Sequence, residues 1–199
     1  MKRLALLFAA VCAIPFAAHG IDVGKAAPAF VAQDASGKPI ALAQLRGKVV
    51  VLEWTNKGCP FVGHMYRSGV MQQLQRQAAA DGVVWLSVIS SAPGRQGYLT
   101  GPGVASWETS VGAAPAGVIL DPSGKLGHAF DARTTPDMFV IDRQGRLVYA
   151  GAVDDNVSTN PADAKTAHNY VAAALADLKA GRAINPSETQ SYGCSVKYQ

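Results

Sequence analysis

Residues 49–62 read VVVLEWTNKGCPFV, and this stretch decides the fold. Its first half is a largely apolar run, typical of a strand that is buried on both faces of a parallel sheet. Its second half places Cys59 and Pro60 before a segment whose apolar residues recur at helical spacing. Proline suits the first turn of a helix, because its missing N–H has no partner there. The stretch therefore predicts a strand, a short loop and a helix that begins just after Cys59.

The rest of the chain predicts further strands and helices in alternation. An eighteen-residue tail, ending in YGCSVKYQ, follows the last predicted helix. The predicted elements are a hairpin over 24–48, a helix over 60–80, a strand over 83–90, a helix over 104–113, a strand over 117–121, a helix or turn over 122–130, a hairpin over 138–151 and a helix over 163–180. This order predicts a three-layer α/β fold, with a central mixed sheet, an N-terminal β-hairpin extension and a C-terminal tail.

The first twenty residues have the pattern of a secretory signal peptide. Lys2 and Arg3 precede an apolar run, and Ala18-His19-Gly20 supplies a small-residue ending. We expect cleavage after Gly20, a single domain over residues 21–199, and a periplasmic or secreted protein without stable membrane insertion. An uncleaved anchor is the alternative, although the apolar run is short for a membrane span and Pro15 interrupts it.

Composition excludes several classes of function. Hydrophobic residues make up 49% and charged residues 16% of the chain, as in globular proteins. Removing Lys2 and Arg3 from 18 basic residues leaves 16 against 14 acidic ones, so the net charge of +4 indicates no nucleic-acid partner. No Gly-rich dinucleotide motif is present, so we expect no organic cofactor. Of three cysteines, Cys12 belongs to the leader, which leaves Cys59 and Cys194.

Two motifs carry a resemblance to a known family. The segments are WTNKGCPFV at 54–62 and YGCSVKY at 192–198. Over residues 22–199 the chain resembles the thioredoxin superfamily. Within it, the chain is similar to peroxiredoxin-like redoxins, which resemble alkyl hydroperoxide reductase and thiol-specific antioxidant proteins. More narrowly, it resembles a branch with a single cysteine in CPFV and a C-terminal YGCSVKY. The resemblance implies a thioredoxin fold and a thiol oxidoreductase that serves antioxidant defence or cell redox homeostasis.

The resemblance also implies the site. Cys59 would be a nucleophile, because unpaired N–H groups and the dipole at a helix N-terminus stabilise a thiolate. Pro136 matches the cis-proline that faces this cysteine in the family, and Thr135 would offer its backbone to an extended substrate. Glu53 matches a buried carboxylate that accepts a proton during disulfide exchange. From its own sequence context, Glu53 could equally be a solvated edge residue.

Other residues near the thiol are candidates for substrate binding. Trp54 and Asn56 would order the loop above Cys59, and Pro60 would lie beside it in the first helical turn. Lys57 and Arg133 could supply positive charge, although most such charges are simply solvated.

The sequence departs from both family patterns. Val62 stands where thioredoxins carry a second cysteine, and Leu52 and Asn56 stand where true peroxiredoxins carry proline and threonine. The hydroxyl that polarises a peroxide is therefore absent. Disulfide exchange is favoured over a thiol peroxidase, which remains an alternative. The substrate would be a protein or small-molecule disulfide, or a peroxide, with an unidentified thiol as reductant.

Cys194 is the candidate for the second sulfur. The segment after the last helix is long enough to return to Cys59, since about thirteen extended residues span roughly 40 Å. Three possibilities stay open: a Cys59–Cys194 pair that cycles, a structural disulfide between the same residues, or no bond. A non-catalytic binding protein or a copper-handling protein with His64 near Cys59 are further alternatives, although we expect no metal site.

Overall fold

A seven-stranded mixed sheet forms the centre of the computed structural model, which describes residues 21–199. The segment expected to be a signal peptide lies outside the described residues. The strands are β1 Val31–Asp34, β2 Pro39–Ala41, β3 Val50–Trp54, β4 Val84–Ile89, β5 Gly117–Leu120, β6 Thr134–Thr135, β7 Asp137–Ile141, β8 Leu147–Gly151 and β9 Cys194–Ser195. The helices are α1 Pro60–Ser68, α2 Val70–Ala80, α3 Gly101–Val111, α4 Lys125–Ala129, α5 Pro161–Ala164 and α6 Tyr170–Lys179.

The strand order in the sheet is β2-β1-β5-β4-β3-β7-β8. Strands β3, β4 and β5 run parallel, while β7 and β8 add an antiparallel hairpin on one side and β1 and β2 add another on the other side. The predicted mixed α/β architecture with an N-terminal hairpin is confirmed. At that hairpin the Asp34 carboxylate accepts the N–H groups of Ser36 and Lys38, each at 2.8 Å, which fixes the turn.

The central strand β3 divides the core between the two faces of the sheet. Successive side chains of a strand point to opposite faces. Val50, Leu52 and Trp54 therefore pack in one cluster of buried residues, while Val51 packs in the other together with Cys59. Every residue of β3 is buried, as expected for a strand with layers on both faces.

Two of the predicted helices are each divided into two. Gly69 adopts a left-handed conformation, with φ 83°, and ends α1 before α2 begins at the next residue. Near the C-terminus, the side chain of Asn169 accepts the N–H of Ala172 at 2.8 Å and starts α6 there. The helical spacing of apolar residues continues across both breaks, which is why the sequence predicted single helices.

The C-terminal tail contains a strand that the sequence did not predict. Strand β9 pairs with β6 in a separate antiparallel ladder, with Cys194 opposite Thr135. Strands of two residues have no periodicity to detect. Within residues 21–199, no helix combines the length and the apolar character that crossing a membrane requires.

Candidate active site

Cys59 occupies the N-cap of α1, directly after the loop that follows β3. Its backbone is extended, with φ −82° and ψ 124°, and Pro60 takes the first helical position. The Cys59 N–H donates to the carbonyl oxygen of Asn56 at 3.0 Å, and its own carbonyl accepts the N–H of Gly63 at 2.9 Å. Only 1% of the Cys59 side chain is exposed. A sulfur in this position faces the unpaired N–H groups of the first helical turn, which favour an anion.

The segment before β7 lies against this sulfur. The Thr135–Pro136 peptide bond is cis. As a thiol, Cys59 donates to the carbonyl oxygen of Thr135 at 3.0 Å. Thr135 is itself buried and belongs to β6. The structure thus brings Cys59 together with Thr135 and Pro136, which follow it by more than seventy residues in the sequence.

Cys194 is the second thiol of the site. It lies opposite Thr135 in the β6–β9 ladder, and its side chain packs against the buried cluster that contains Cys59. Both thiols are free in this structure. Gly193 allows the close approach of the tail, because its φ is 131° and a Cβ there would overlap the Thr135 carbonyl oxygen. The second sulfur therefore comes from the C-terminal tail.

The two thiols have opposite affinities for a proton. Burial raises the pKa of Cys59, but hydrogen bonds from the Cys194 thiol and the Val62 N–H lower this pKa by more, so it lies below the ordinary value. The pKa of Cys194 is raised to about 11, first by burial and then by the hydrogen bond with Cys59 and its charge. Since the thiolate is the reactive form, Cys59 is the better nucleophile of the two.

Glu53 is buried on the same face of the sheet as Cys59. Its carboxylate accepts hydrogen bonds from four side chains: Tyr66 Oη at 3.1 Å, Gln75 Nε2 at 3.2 Å, Trp85 Nε1 at 2.8 Å and Ser87 Oγ at 3.1 Å. Burial raises the pKa of Glu53 above its ordinary value, although these donors oppose the shift. The solvated alternative is thus wrong. No hydrogen bond found within residues 21–199 joins Glu53 to either cysteine.

Asn56 holds the loop above Cys59, whereas Trp54 lies elsewhere. The Asn56 carbonyl oxygen Oδ1 accepts the Gly58 N–H at 2.8 Å, and its Nδ2 donates to the Gln96 carbonyl at 3.2 Å. Trp54 has no exposed surface and packs in the core cluster on the opposite face from Cys59. Strand alternation explains this placement, which gives Trp54 a part in the core instead of contact with substrate. Pro60 is exposed beside the site.

The two candidate cations lie on the surface. Lys57 is exposed in the loop before Cys59. The Arg133 guanidinium is paired with the carboxylate of Asp131 at 2.6 Å, and 73% of its side chain is exposed. A further cation, Lys197 in the tail, lowers the pKa of Cys194 slightly against the larger effect of burial.

Sequence reasoning missed the donors around Glu53 and a second buried carboxylate. Two of the donors, Trp85 and Ser87, could have been found by aligning β3 with β4 in parallel, since Ser87 is the register partner of Glu53. Asp137 directly follows Pro136 and accepts the Arg133 N–H at 2.9 Å. Burial raises the pKa of Asp137 to about 6, against the lowering effect of these backbone donors.

His64 lies buried in α1, and neither ring nitrogen has a hydrogen-bond partner. Among residues 21–199 there is no group of three or more His, Cys, Asp and Glu side chains that could hold a metal ion. The copper-handling alternative therefore lacks a ligand set in the described part of the chain.

Comparisons with proteins of known family and structure agree with this fold. Residues 22–168 match the Redoxin family model. The chain is 24% identical over 161 residues to a thiol-disulfide oxidoreductase, ResA, of Bacillus subtilis (strain 168), with 73% of this chain and 80% of ResA covered. A crystal structure of an uncharacterized conserved protein from Geobacillus kaustophilus has a TM-score of 0.77 at 24% identity, covering 90% of this chain and 93% of the other.

A hypothetical protein from Sinorhizobium meliloti 1021 gives a similar result. Its crystal structure has a TM-score of 0.75 at 24% identity, covering 91% of this chain and 97% of the other. At this identity the likeness concerns the fold, and it agrees with the thioredoxin-like arrangement of β3, the Cys59 helix and the cis-proline segment. The family match covers well over half of the chain, and the chain therefore belongs to the Redoxin family.

Proposed function

We propose that this chain is an exported thiol–disulfide oxidoreductase in which Cys59 attacks the substrate and Cys194 resolves the product. The observation that carries the proposal is that Cys59 and Cys194 both lie against Thr135 at the N-terminus of α1, one by a hydrogen bond and the other by strand pairing. Their opposite pKa shifts agree with it. The similarity to a protein named as a thiol-disulfide oxidoreductase supports the same chemistry.

The reaction proceeds in two exchange steps. The Cys59 thiolate attacks one sulfur of a substrate disulfide, forms a mixed disulfide and releases the other substrate sulfur as a thiolate. The Cys194 thiol then loses its proton and attacks the Cys59 sulfur. The second substrate sulfur leaves, and a Cys59–Cys194 disulfide remains. The substrate has gained two electrons, and an external thiol reductant restores both cysteines.

The surrounding residues serve these steps in different ways. The Thr135 backbone lies at the sulfur and would align an extended substrate. Glu53 would be the final acceptor of the proton that Cys194 gives up, reached through intervening groups, since a buried carboxyl with a raised pKa can act as a base. Asn56 is a positioning residue that fixes the loop from 56 to 58, which leads into Cys59.

Peroxide is a poorer substrate than a disulfide for this site. In the position where peroxiredoxins present a hydroxyl, the Asn56 amide is committed to Gly58 and Gln96. No hydroxyl from that position can polarise the O–O bond. Hydrogen peroxide should therefore oxidise the reduced protein more slowly than a small disulfide does, as stopped-flow measurements can establish.

Peptide mapping after equilibration in glutathione redox buffers tests the proposal. The protein should interconvert between a dithiol and a Cys59–Cys194 disulfide while it catalyses disulfide reduction, and Cys59→Ser should abolish the activity. A bond that persists throughout turnover would indicate a structural disulfide. A protein that never forms the bond and never exchanges disulfides would be a binding protein on the same fold.

Export is proposed from the first twenty residues. Lys2 and Arg3, the apolar run that follows and the small residues before position 21 are typical of a signal peptide. Expression of the full chain in a bacterium, followed by N-terminal sequencing of the periplasmic fraction, should give a chain that begins at Ile21. Recovery of the intact N-terminus in the cytoplasm would contradict the proposal.

A further inference from the structure

The C-terminal tail is fastened to the domain on both sides of Cys194. On the N-terminal side, the Tyr192 hydroxyl donates to the buried carboxylate of Asp154, and the Tyr192 ring packs edge-on against Phe61 with centroids 5.8 Å apart. On the C-terminal side, the Val196 N–H donates to the Arg133 carbonyl at 3.0 Å. These contacts hold β9 in register against β6.

Tyr198 provides the outermost attachment of the tail. Its hydroxyl donates to the Ala132 carbonyl at 2.7 Å, and its ring stacks on His128 with centroids 4.1 Å apart. The ring rests on Gly127 of α4, where an added Cβ would overlap the Tyr198 hydroxyl. Neither Tyr198 nor the residues that it contacts, Gly127, His128 and Ala132, carry a reacting atom. They can therefore be altered without changing the two sulfurs.

The tail occupies the backbone edge that faces the nucleophile. Thr134 and Thr135 pair with Ser195 and Cys194, and Cys59 behind them is 1% exposed. An extended substrate that aligned on Thr135 would need the hydrogen-bonding edge that β9 fills. A substrate strand and the tail therefore cannot lie on β6 together.

We propose that β9 is a displaceable strand that competes with the substrate for the hydrogen-bonding edge of β6. The inference rests on the proposed function and extends it to the order of events. The tail leaves β6, an extended segment carrying a disulfide takes its place, and the Cys59 thiolate attacks that disulfide. When the tail returns, Cys194 comes back beside the Cys59 sulfur and displaces the substrate thiolate as its own proton is lost. The preferred substrate is thus a disulfide in an extended peptide.

The proposal predicts that loosening the tail changes the rates of the two chemical steps in opposite directions. Loosening the tail should speed the attack by Cys59, because the site is open more often. The same change should slow the attack by Cys194, because that thiol is held beside the mixed disulfide less often. A residue that only stabilised the fold would not change the two rates in opposite directions.

Stopped-flow reaction of the reduced protein with 5,5′-dithiobis(2-nitrobenzoate) separates these steps. Attack by Cys59 releases one nitrothiobenzoate anion, and attack by Cys194 on the mixed disulfide releases the second. Tyr198→Ala should raise the first rate by about tenfold, since it removes one hydrogen bond and one ring contact, and should lower the second rate. Gly127→Ala should act in the same direction by displacing Tyr198 without altering the tail.

The neighbouring Gln199→Ala is the matched control, because Gln199 is exposed and its loss should change neither rate. A cystine-bridged extended peptide used as substrate should show the same opposite changes. If Tyr198→Ala and Gly127→Ala leave both rates unchanged, or change both in one direction, the shared-edge proposal is wrong while the proposed function stands. If neither the wild type nor any variant reacts at Cys59, both proposals are wrong.

Discussion

The difference between the two thiols is the chemical basis of the site. Burial raises the pKa of Cys59, but hydrogen bonding by the Cys194 thiol and the Val62 N–H lowers it by more, whereas burial and the neighbouring sulfur raise the pKa of Cys194 to about 11. A thiolate beside a thiol can share one proton through their hydrogen bond. In the proposed reaction, this arrangement would prepare Cys59 for attack and keep Cys194 protonated until a mixed disulfide has formed on its neighbour.

Glu53 can be tested as the proton acceptor in the second step. Glu53→Gln keeps the size of the side chain but cannot take up a proton. We expect resolution by Cys194 to slow by about a hundredfold near neutral pH, with little change in the first attack. The pH profile of the second nitrothiobenzoate release gives the result. An unchanged profile would leave Glu53 with a purely structural role.

Asp137 makes the stability of the protein depend on pH. Burial raises its pKa from 3.8 to about 6, so between these values the folded state binds a proton more tightly than the unfolded state. Asp137 therefore makes its full contribution to the free energy of unfolding below pH 3.8. This contribution, at most about 3 kcal/mol, is lost as the pH rises through 6.

Asp137→Asn should remove this dependence, because the amide oxygen still accepts the Arg133 N–H but does not titrate. Urea unfolding of the wild type and of Asp137→Asn between pH 4 and pH 7 isolates the effect. The other buried carboxyl, Glu53, is present in both proteins and contributes equally to each. The wild type should lose stability relative to Asp137→Asn as the pH rises. Parallel curves would show that Asp137 does not hold a proton in the folded state.

At the scale of elements, the ladder between β6 and β9 assembles the site. Each strand has two residues, yet together they set Cys194 opposite Thr135 and beside Cys59. The close approach depends on Gly193, whose position excludes a side chain. The pairing of two very short segments thus brings Cys194 to the site from the far end of the chain.

Gly193→Ala should separate the two strands without altering either sulfur. The new Cβ would overlap the Thr135 carbonyl, and the backbone conformation is one that alanine adopts only with strain, together costing about 1–3 kcal/mol of tail docking. Cys194 should then be alkylated by iodoacetamide faster, as peptide mapping can measure. Gly181→Ala, which also has a positive φ but open space around it, serves as the control for a glycine replacement without overlap. Equal alkylation of Cys194 in all three proteins would contradict the assigned role of Gly193.

The sequence predicted most elements but not the contacts between distant ones. Apolar runs and turn residues were enough for β3, β4, the two hairpins and the start of α1. The break at Gly69 was missed because the apolar spacing continues through it, although a left-handed glycine ends the helix. Of the donors to Glu53, those on β4 follow once β3 and β4 are aligned, but those on α1 and α2 depend on helix packing that no local pattern reveals.

At the scale of the whole molecule, the fold gathers a site from both ends of the chain. Strand β3 and α1 bring Glu53 and Cys59, the segment before β7 brings Thr135, and the tail brings Cys194. The part of the chain that matches the Redoxin family ends at residue 168, so Cys194 lies beyond the matched segment. The matched segment contains Cys59, and the tail supplies the neighbouring thiol.

Trapping of a mixed disulfide in Cys194→Ser tests the central claim most directly. Reduced protein is mixed with oxidised glutathione, and intact mass spectrometry follows the species over time. The account predicts a persistent glutathione adduct on Cys59 in Cys194→Ser, a transient adduct that gives way to a Cys59–Cys194 disulfide in the wild type, and no adduct at position 59 in Cys59→Ser. A Cys194→Ser protein that never accumulates the adduct, or a wild type that keeps it, would contradict the assignment of Cys194 as the resolving thiol.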